Sequence, residues 1–143
     1  MVKFEHCFGR AEVTLPKRST AKSAGYDFFA PYDFEIPAGE SLMVWTGVKA
    51  YMEDSNVLLL MPRSSMGRYG IRFSNTIGVI DSDYVDNPNN EGEIALPFVN
   101  HGTATWSVKA GDKVAQGIFV NYITTDDDDV KAERMGGFGS TGK

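Results

Sequence analysis

The chain has 143 residues and a mass of 15.7 kDa, carries a formal charge of −5 at pH 7, and is 42% apolar and 12% aromatic. That length makes one domain able to bury about two-thirds of the surface its unfolded form exposes, and the negative balance excludes binding nucleic acid by general phosphate neutralisation. The lone Cys7 forms no internal disulfide, "MVKFEHCFGR" carries charges where a secretory leader needs an apolar stretch, and "VLLLM" is far too short to cross a bilayer. A soluble cytoplasmic protein is expected. From residue 41 onward, short apolar runs alternate with Gly, Pro and Asn/Asp clusters: "SLMVWTGVKAYM", "NVLLLMP", "GIRFSN", "IGVI", "GEIALPFVN", "ATWSVKAG" and "KVAQGIFVNYI". Their period is that of strands, and their regular spacing predicts an all-β sandwich, barrel or jelly roll. One turn of helix fits in "SSMGRYG", and "DNPNNEGE" (residues 86–93) reads as a polar turn because Pro88 does not suit a central strand. The four aspartates at 126–129 repel one another and mark a boundary, after which comes an arm that gains order only by docking. This divides the chain into a barrel over residues 1–125 and an arm over residues 126–143.

The final stretch, "GGFGSTGK", matches the first part of a phosphate-binding P-loop, but "TTDDDDVKAERM" before it has no strand pattern and no helix follows. What remains is local chemistry: glycines that let backbone approach a ligand, two hydroxyls and one Phe. A terminal tail without fixed structure is the plain alternative. Four further stretches put polar residues where strand patterns break. In "SAGYDFFA", Asp27 sits among aromatic residues and has to be paired, hydrated or linked to a metal. In "PRSSMGRYG", Arg63, Ser64 and the surrounding N–H groups suit an oxyanion, although an ordinary polar turn has the same composition. "NTIGVIDSDY" offers the amide of Asn75 and hairpin backbone to a base edge, and Asp81 to orient a water and take its proton. In "GDKVAQGIF", alternation puts Val114, Gln116 and Ile118 on one face, where Gln116 needs a partner.

These five stretches, in this order across residues 23–142, resemble the ordered motifs of the trimeric deoxyuridine triphosphatase (dUTPase) family. The resemblance implies a jelly-roll-like distorted β-barrel with a mobile C-terminal arm, forming a homotrimer with sites at subunit interfaces, each arm covering another subunit's site. It also implies hydrolysis of dUTP to dUMP and pyrophosphate by in-line attack of water on the α-phosphorus, assisted by Mg²⁺. Asp81 is then catalytic. Gly78 and Ile80 join Asn75 in reading the base, and Tyr84 lies under the deoxyribose and leaves no room for a 2′-hydroxyl. Arg63, Ser64, Ser65 and Gln116 contact phosphates, and Asp27 meets the metal through water. In the arm, Arg134 reaches the γ-phosphate, Phe138 stacks on uracil, and Gly139, Ser140 and Thr141 close over the phosphates.

Three departures accompany the resemblance. Ser65 stands where the family more often has Gly, residues 86–93 lengthen the segment after Tyr84 and are expected to decorate a surface loop, and Arg134 has one residue fewer before the glycines. "RSSMGRYG" resembles dCTP deaminase equally well, with Arg68 at the position of that enzyme's arginine. Pro97, however, stands where the deaminase carries its glutamate, and Pro is neither acid nor base; Glu93 is four residues too early. A zinc site is excluded, because Cys7, His6 and His101 are too few to build one. A binding domain without turnover, or an added regulatory protein partner, stays open at this level.

Overall fold

The computed structural model describes residues 1–137, 139, 141 and 142. Among these, the order is β1 (Lys3–His6), β2 (Lys17–Arg18), β3 (Tyr26–Phe29), β4 (Phe34–Ile36), β5 (Ser41–Trp45), β6 (Val48–Tyr51), β7 (Asn56–Met61), α1 (Ser64–Gly67), β8 (Ile71–Phe73), β9 (Gly78–Asp81), β10 (Ala95–Asn100), β11 (Trp106–Val108) and β12 (Lys113–Asn121). The strands expected from residue 41 onward are all present, and the helical turn lies where it was expected. "SLMVWTGVKAYM" divides into β5 and β6 because Gly47 takes φ +75° and Thr46 turns inward, its hydroxyl donating to the Ile94 carbonyl at 2.7 Å. β1 to β4, of two to four residues each, are too short to show periodicity in the sequence.

All ladders are antiparallel and form four sheets, β1-β6, β5-β10-β8, β11-β4 and β2-β3-β12-β7-β9. They wrap one core as a distorted jelly-roll-like barrel. Leu58 and Leu60 of β7 alternate inward to meet Phe28, Leu96, Phe98 and Val114, all at 2% exposure or less. Aromatic edges lock this core: Phe98 meets Phe73 and Trp106 at 5.4 and 5.0 Å between ring centres. One amide is fully buried within it. Asn100 donates to the carbonyls of Ile36 and Ala104 and accepts from Gly102 N–H, so its burial leaves no orphaned group.

One expectation changes here. A register shift between Lys113 and Ala115 breaks the alternation of β12, so Val114 joins the core while Gln116 and Ile118 point the other way. Pro97 lies inside β10, between β5 and β8, yet β8 pairs only with Phe98, Val99 and Asn100. The proline therefore falls past the end of that ladder, where its missing N–H costs no bond.

Candidate active site

The sequence-predicted residues gather in two clefts rather than one. The first, a cavity of about 370 Å³, has an apolar floor of Leu60, Phe73, Ala95 and Pro97, with Asn75, Gly78, Ile80, Asp81 and Tyr84 around it. It is built by β8 and β9, which are not the hairpin expected from the sequence, because β8 pairs with β10 and β9 with β7 in a different sheet; the turn between them holds Thr76 at φ +72°, a strained setting for a β-branched residue that directs the chain past Asn75 into β9. Asp81 ends β9 with its carboxylate half-exposed at the rim. Tyr84 is buried, and its hydroxyl donates to the Glu93 carbonyl at 2.7 Å and accepts from Asn90 Nδ2 at 2.9 Å. Burial pushes its phenol above the usual range.

The arm lies in this same cleft. Arg134 Nη2 and Nε donate to Asp81 and Asp83 at 2.5 and 2.7 Å, while Nη1 donates to the Gly136 carbonyl at 3.0 Å. Gly137 rests on the Tyr84 ring so closely that an added Cβ would come within 2.5 Å of Tyr84 Cε1. Gly139 and Thr141 also line the cavity. Phe138 and Ser140, expected on the base and the phosphates, lie outside the described residues.

The second cleft, about 330 Å³, is lined by Ser19, Ser23, Gly25, Asp27, Arg63, Ser64 and Gln116. Asp27 is 7% exposed and is paired, one of the outcomes its sequence setting required. Ser19 donates to it at 2.6 Å, Arg63 Nε lies at 3.2 Å and Lys113 Nζ at 3.4 Å. Burial alone would raise this carboxyl, but the Ser19 hydrogen bond and the two cations outweigh it and hold the group below its ordinary value. Two cations on one carboxylate leave the cleft locally positive in a chain of net charge −5. Gln116 finds its partner in the Pro62 carbonyl, with Nε2 at 3.3 Å. Ser65 is exposed on α1 and lines neither cleft, and Arg68, at the end of that turn, also lies outside both. Ser19 and Lys113 were not singled out from sequence; Lys113 stands inside "GDKVAQGIF", but only the fold shows that it faces Asp27.

The clefts are far apart. β9, β7, β12 and β3 lie side by side, so Asp81 and Asp27 are three strand spacings apart, about 14 Å. Asp81 is opposite Val57, whereas Gln116, opposite Asp27, pairs with Met61, which adds about 13 Å along the strands. Among the described residues no group of His, Cys, Asp and Glu could hold a metal ion by itself, and no helix is long and apolar enough to cross a membrane.

A family model described as dUTPase matches residues 11–142. The chain belongs to the dUTPase family. A deoxyuridine 5′-triphosphate nucleotidohydrolase of Lactococcus lactis is 41% identical over 138 residues, covering 94% of this chain and 92% of that protein. The crystal structure of a dUTPase from Streptococcus mutans superposes with a TM-score of 0.77 at 44% identity, over 86% of this chain and 98% of that one. A dUTPase of Staphylococcus aureus phage phi11 shares the fold, with a TM-score of 0.74 at 19% identity over 92% of this chain and 97% of that one. Within the dUTPase frame, Pro97 lines the first cleft, so the group a deaminase needs is replaced by a side chain with no proton to exchange.

Proposed function

We propose that three copies of this chain assemble sites that hydrolyse dUTP to dUMP and pyrophosphate, each site joining the first cleft of one copy to the second cleft of another. The observation that carries this is the separation of the clefts. A nucleoside pocket with a carboxylate at its rim and a basic, hydroxyl-lined pocket for phosphates stand too far apart on one chain for a single triphosphate to touch both. A closed threefold arrangement of head-to-tail contacts brings them together. In the described chain the arm covers its own first cleft; exchange of arms between copies preserves the same contacts and gives the crossing arrangement. Residues 1–125 act as the barrel and 126–143 as the lid. A cytoplasmic location, where free nucleotides are found, belongs to the same reading.

In the first cleft, uracil lies on the apolar floor against Asn75 and the backbone of Gly78 and Ile80, with the sugar over Tyr84. Asp81, freed from Arg134, orients a water in line with the α-phosphorus and accepts its proton as the bond to the bridging oxygen breaks. Arg63, Ser64 and Gln116 hold the departing pyrophosphate, with Lys113 beside them, and Arg134 moves to the γ-phosphate. The donor set fits Mg²⁺ carried in by the substrate: this ion keeps several waters and takes few protein ligands. A carboxylate has about four acceptor sites; three of those on Asp27 are engaged, leaving one for a metal-bound water. The ion supplies neutralisation of phosphate charge. The phage phi11 structure concerns the coordination of a structural Mg(II) ion, which supports this choice.

The test is product chromatography after incubating the protein with Mg²⁺ and either dUTP or dCTP. Formation of dUMP from dUTP, with dCTP untouched, is the expected result. Conversion of dCTP to dUTP or dUMP overturns the assignment in favour of deamination, and no change in either nucleotide overturns it in favour of a binding protein.

A further inference from the structure

The loop at residues 86–93 is not surface decoration. Asn87 within it is 5% exposed, and its Nδ2 donates to both the Tyr84 carbonyl and Asn90 Oδ1, each at 2.7 Å. Asn90 Oδ1 also accepts from Gly92 N–H at 3.0 Å. With two donors aimed at its oxygen, the amide of Asn90 has one orientation, which sends Nδ2 to the Tyr84 hydroxyl. That hydroxyl accepts there and directs its own proton to the Glu93 carbonyl. The proton arrangement is therefore unique, and the loop grips the tyrosine at both ends, at its backbone and at its oxygen.

We propose that Asn90 is a positioning residue: by holding the Tyr84 hydroxyl it fixes the ring that excludes a 2′-hydroxyl, and so sets the preference for deoxyribonucleotide over ribonucleotide. This rests on the proposed placement of the sugar over Tyr84. Without Asn90 the hydroxyl keeps only its bond to the Glu93 carbonyl, so the ring gains freedom about its two side-chain torsions, and looseness beyond about 0.5 Å is enough to spoil a positioned site. The loop resists such a shift because Lys49 Nζ ties it to the barrel through Asp86 at 2.7 Å and Glu91 at 2.9 Å. Gly137 rests against the same ring, so the ring position also sets where the arm rests.

The experiment measures kcat and KM for dUTP and UTP with Mg²⁺ in the full-length protein, for wild type, Asn90→Leu, Tyr84→Phe, the double variant and Tyr84→Ala. Asn90→Leu is expected to lower the ratio of kcat/KM for dUTP to that for UTP about fivefold or more, the scale of one lost hydrogen bond to a buried group. Tyr84→Phe removes the same contact from the other side together with the hydroxyl's bond to the Glu93 carbonyl, and also reports on the contact if Asn90→Leu does not fold. The double variant is expected to match Tyr84→Phe, because once the hydroxyl is gone Asn90 has nothing left to hold. An unchanged ratio in Asn90→Leu, with only a lower Tm, overturns the proposal while a shifted ratio in Tyr84→Ala leaves the sugar placement standing. An unchanged ratio in Tyr84→Ala overturns both. Effects of Asn90→Leu and Tyr84→Phe that multiply show that Asn90 acts by another route and also overturn it.

Discussion

Arg134 lies on both Asp81 and Asp83. Under the proposed mechanism this contact has to open before chemistry starts, since the carboxylate that would face water is occupied until a stronger anion draws the guanidinium away. Replacing Asp81 by Asn keeps the shape of the rim and removes the proton acceptor. It is expected to lower kcat by about 10²- to 10⁴-fold, while calorimetry with a non-hydrolysable dUTP analogue still detects binding. Gly25 gives a second test at this scale. An added Cβ there would lie 2.6 Å from Gln116 Oε1, the free end of a flexible side chain. Gly25→Ala is therefore expected to displace Gln116 from the phosphate cleft and raise KM several-fold, with thermal unfolding shifted by less than about 1 kcal/mol.

Among the elements, the loop of residues 86–93 departs most from its plain sequence. Lys49 is buried beneath it; burial alone would lower its pKa, but hydrogen bonds with Asp86, Glu91 and Tyr51 raise it instead. Asp86 is held below the ordinary carboxyl range by Lys49 and Tyr51, and Glu91 by Lys49 and the Phe8 N–H. Because both folded-state values are depressed, their contribution is complete above the unfolded carboxyl pKa of about 4 and is lost as pH falls through the folded values. Lys49→Met is expected to destabilise the protein by about 1–2 kcal/mol near neutral pH, a figure reduced for the partial exposure of both carboxylates. The difference in Tm from wild type is expected to narrow between pH 6 and pH 3, measured by circular dichroism. Periodicity revealed the strands from β5 to β12, because each is long enough, or apolar enough, to show alternation. It failed at β12, where the bulge put Val114 in the core, and at β3, where Asp27 interrupts the apolar row while its chain stays extended. The motifs named Asn75, Gly78, Ile80, Asp81 and Tyr84 of the first cleft and Asp27 of the second. Ser19, Lys113, Asn87 and Asn90 were illegible because their partners lie far along the chain or in turns without a repeating pattern.

For the whole molecule, the proposed sharing of sites makes a strong demand: under it, no chain is complete by itself. Asp81→Asn disables the first cleft and the pair Arg63→Ala, Gln116→Ala the second, so each pure variant is expected to be nearly inactive. After unfolding and refolding together in equal amounts, sites that draw one intact cleft from each kind of chain regain turnover, at about a quarter of wild-type activity for random assembly of copies. Recovery of no activity beyond the sum of the two variants places both clefts on one chain and removes the need for the trimer. Sedimentation of the wild type checks the same point from the other side, since a fully active monomer contradicts it.

The resting contact of Arg134 has a consequence for how a highly charged substrate approaches. An open rim bearing bare Asp81 and Asp83, on a protein already at −5, would repel a triphosphate before any hydrogen bond could form. In the proposed mechanism the arm supplies a tethered counterion to the empty site and then hands that same charge to the nucleotide. Each turnover thus exchanges one partner of a guanidinium for another, and the two carboxylates are uncovered only once the nucleotide is bound.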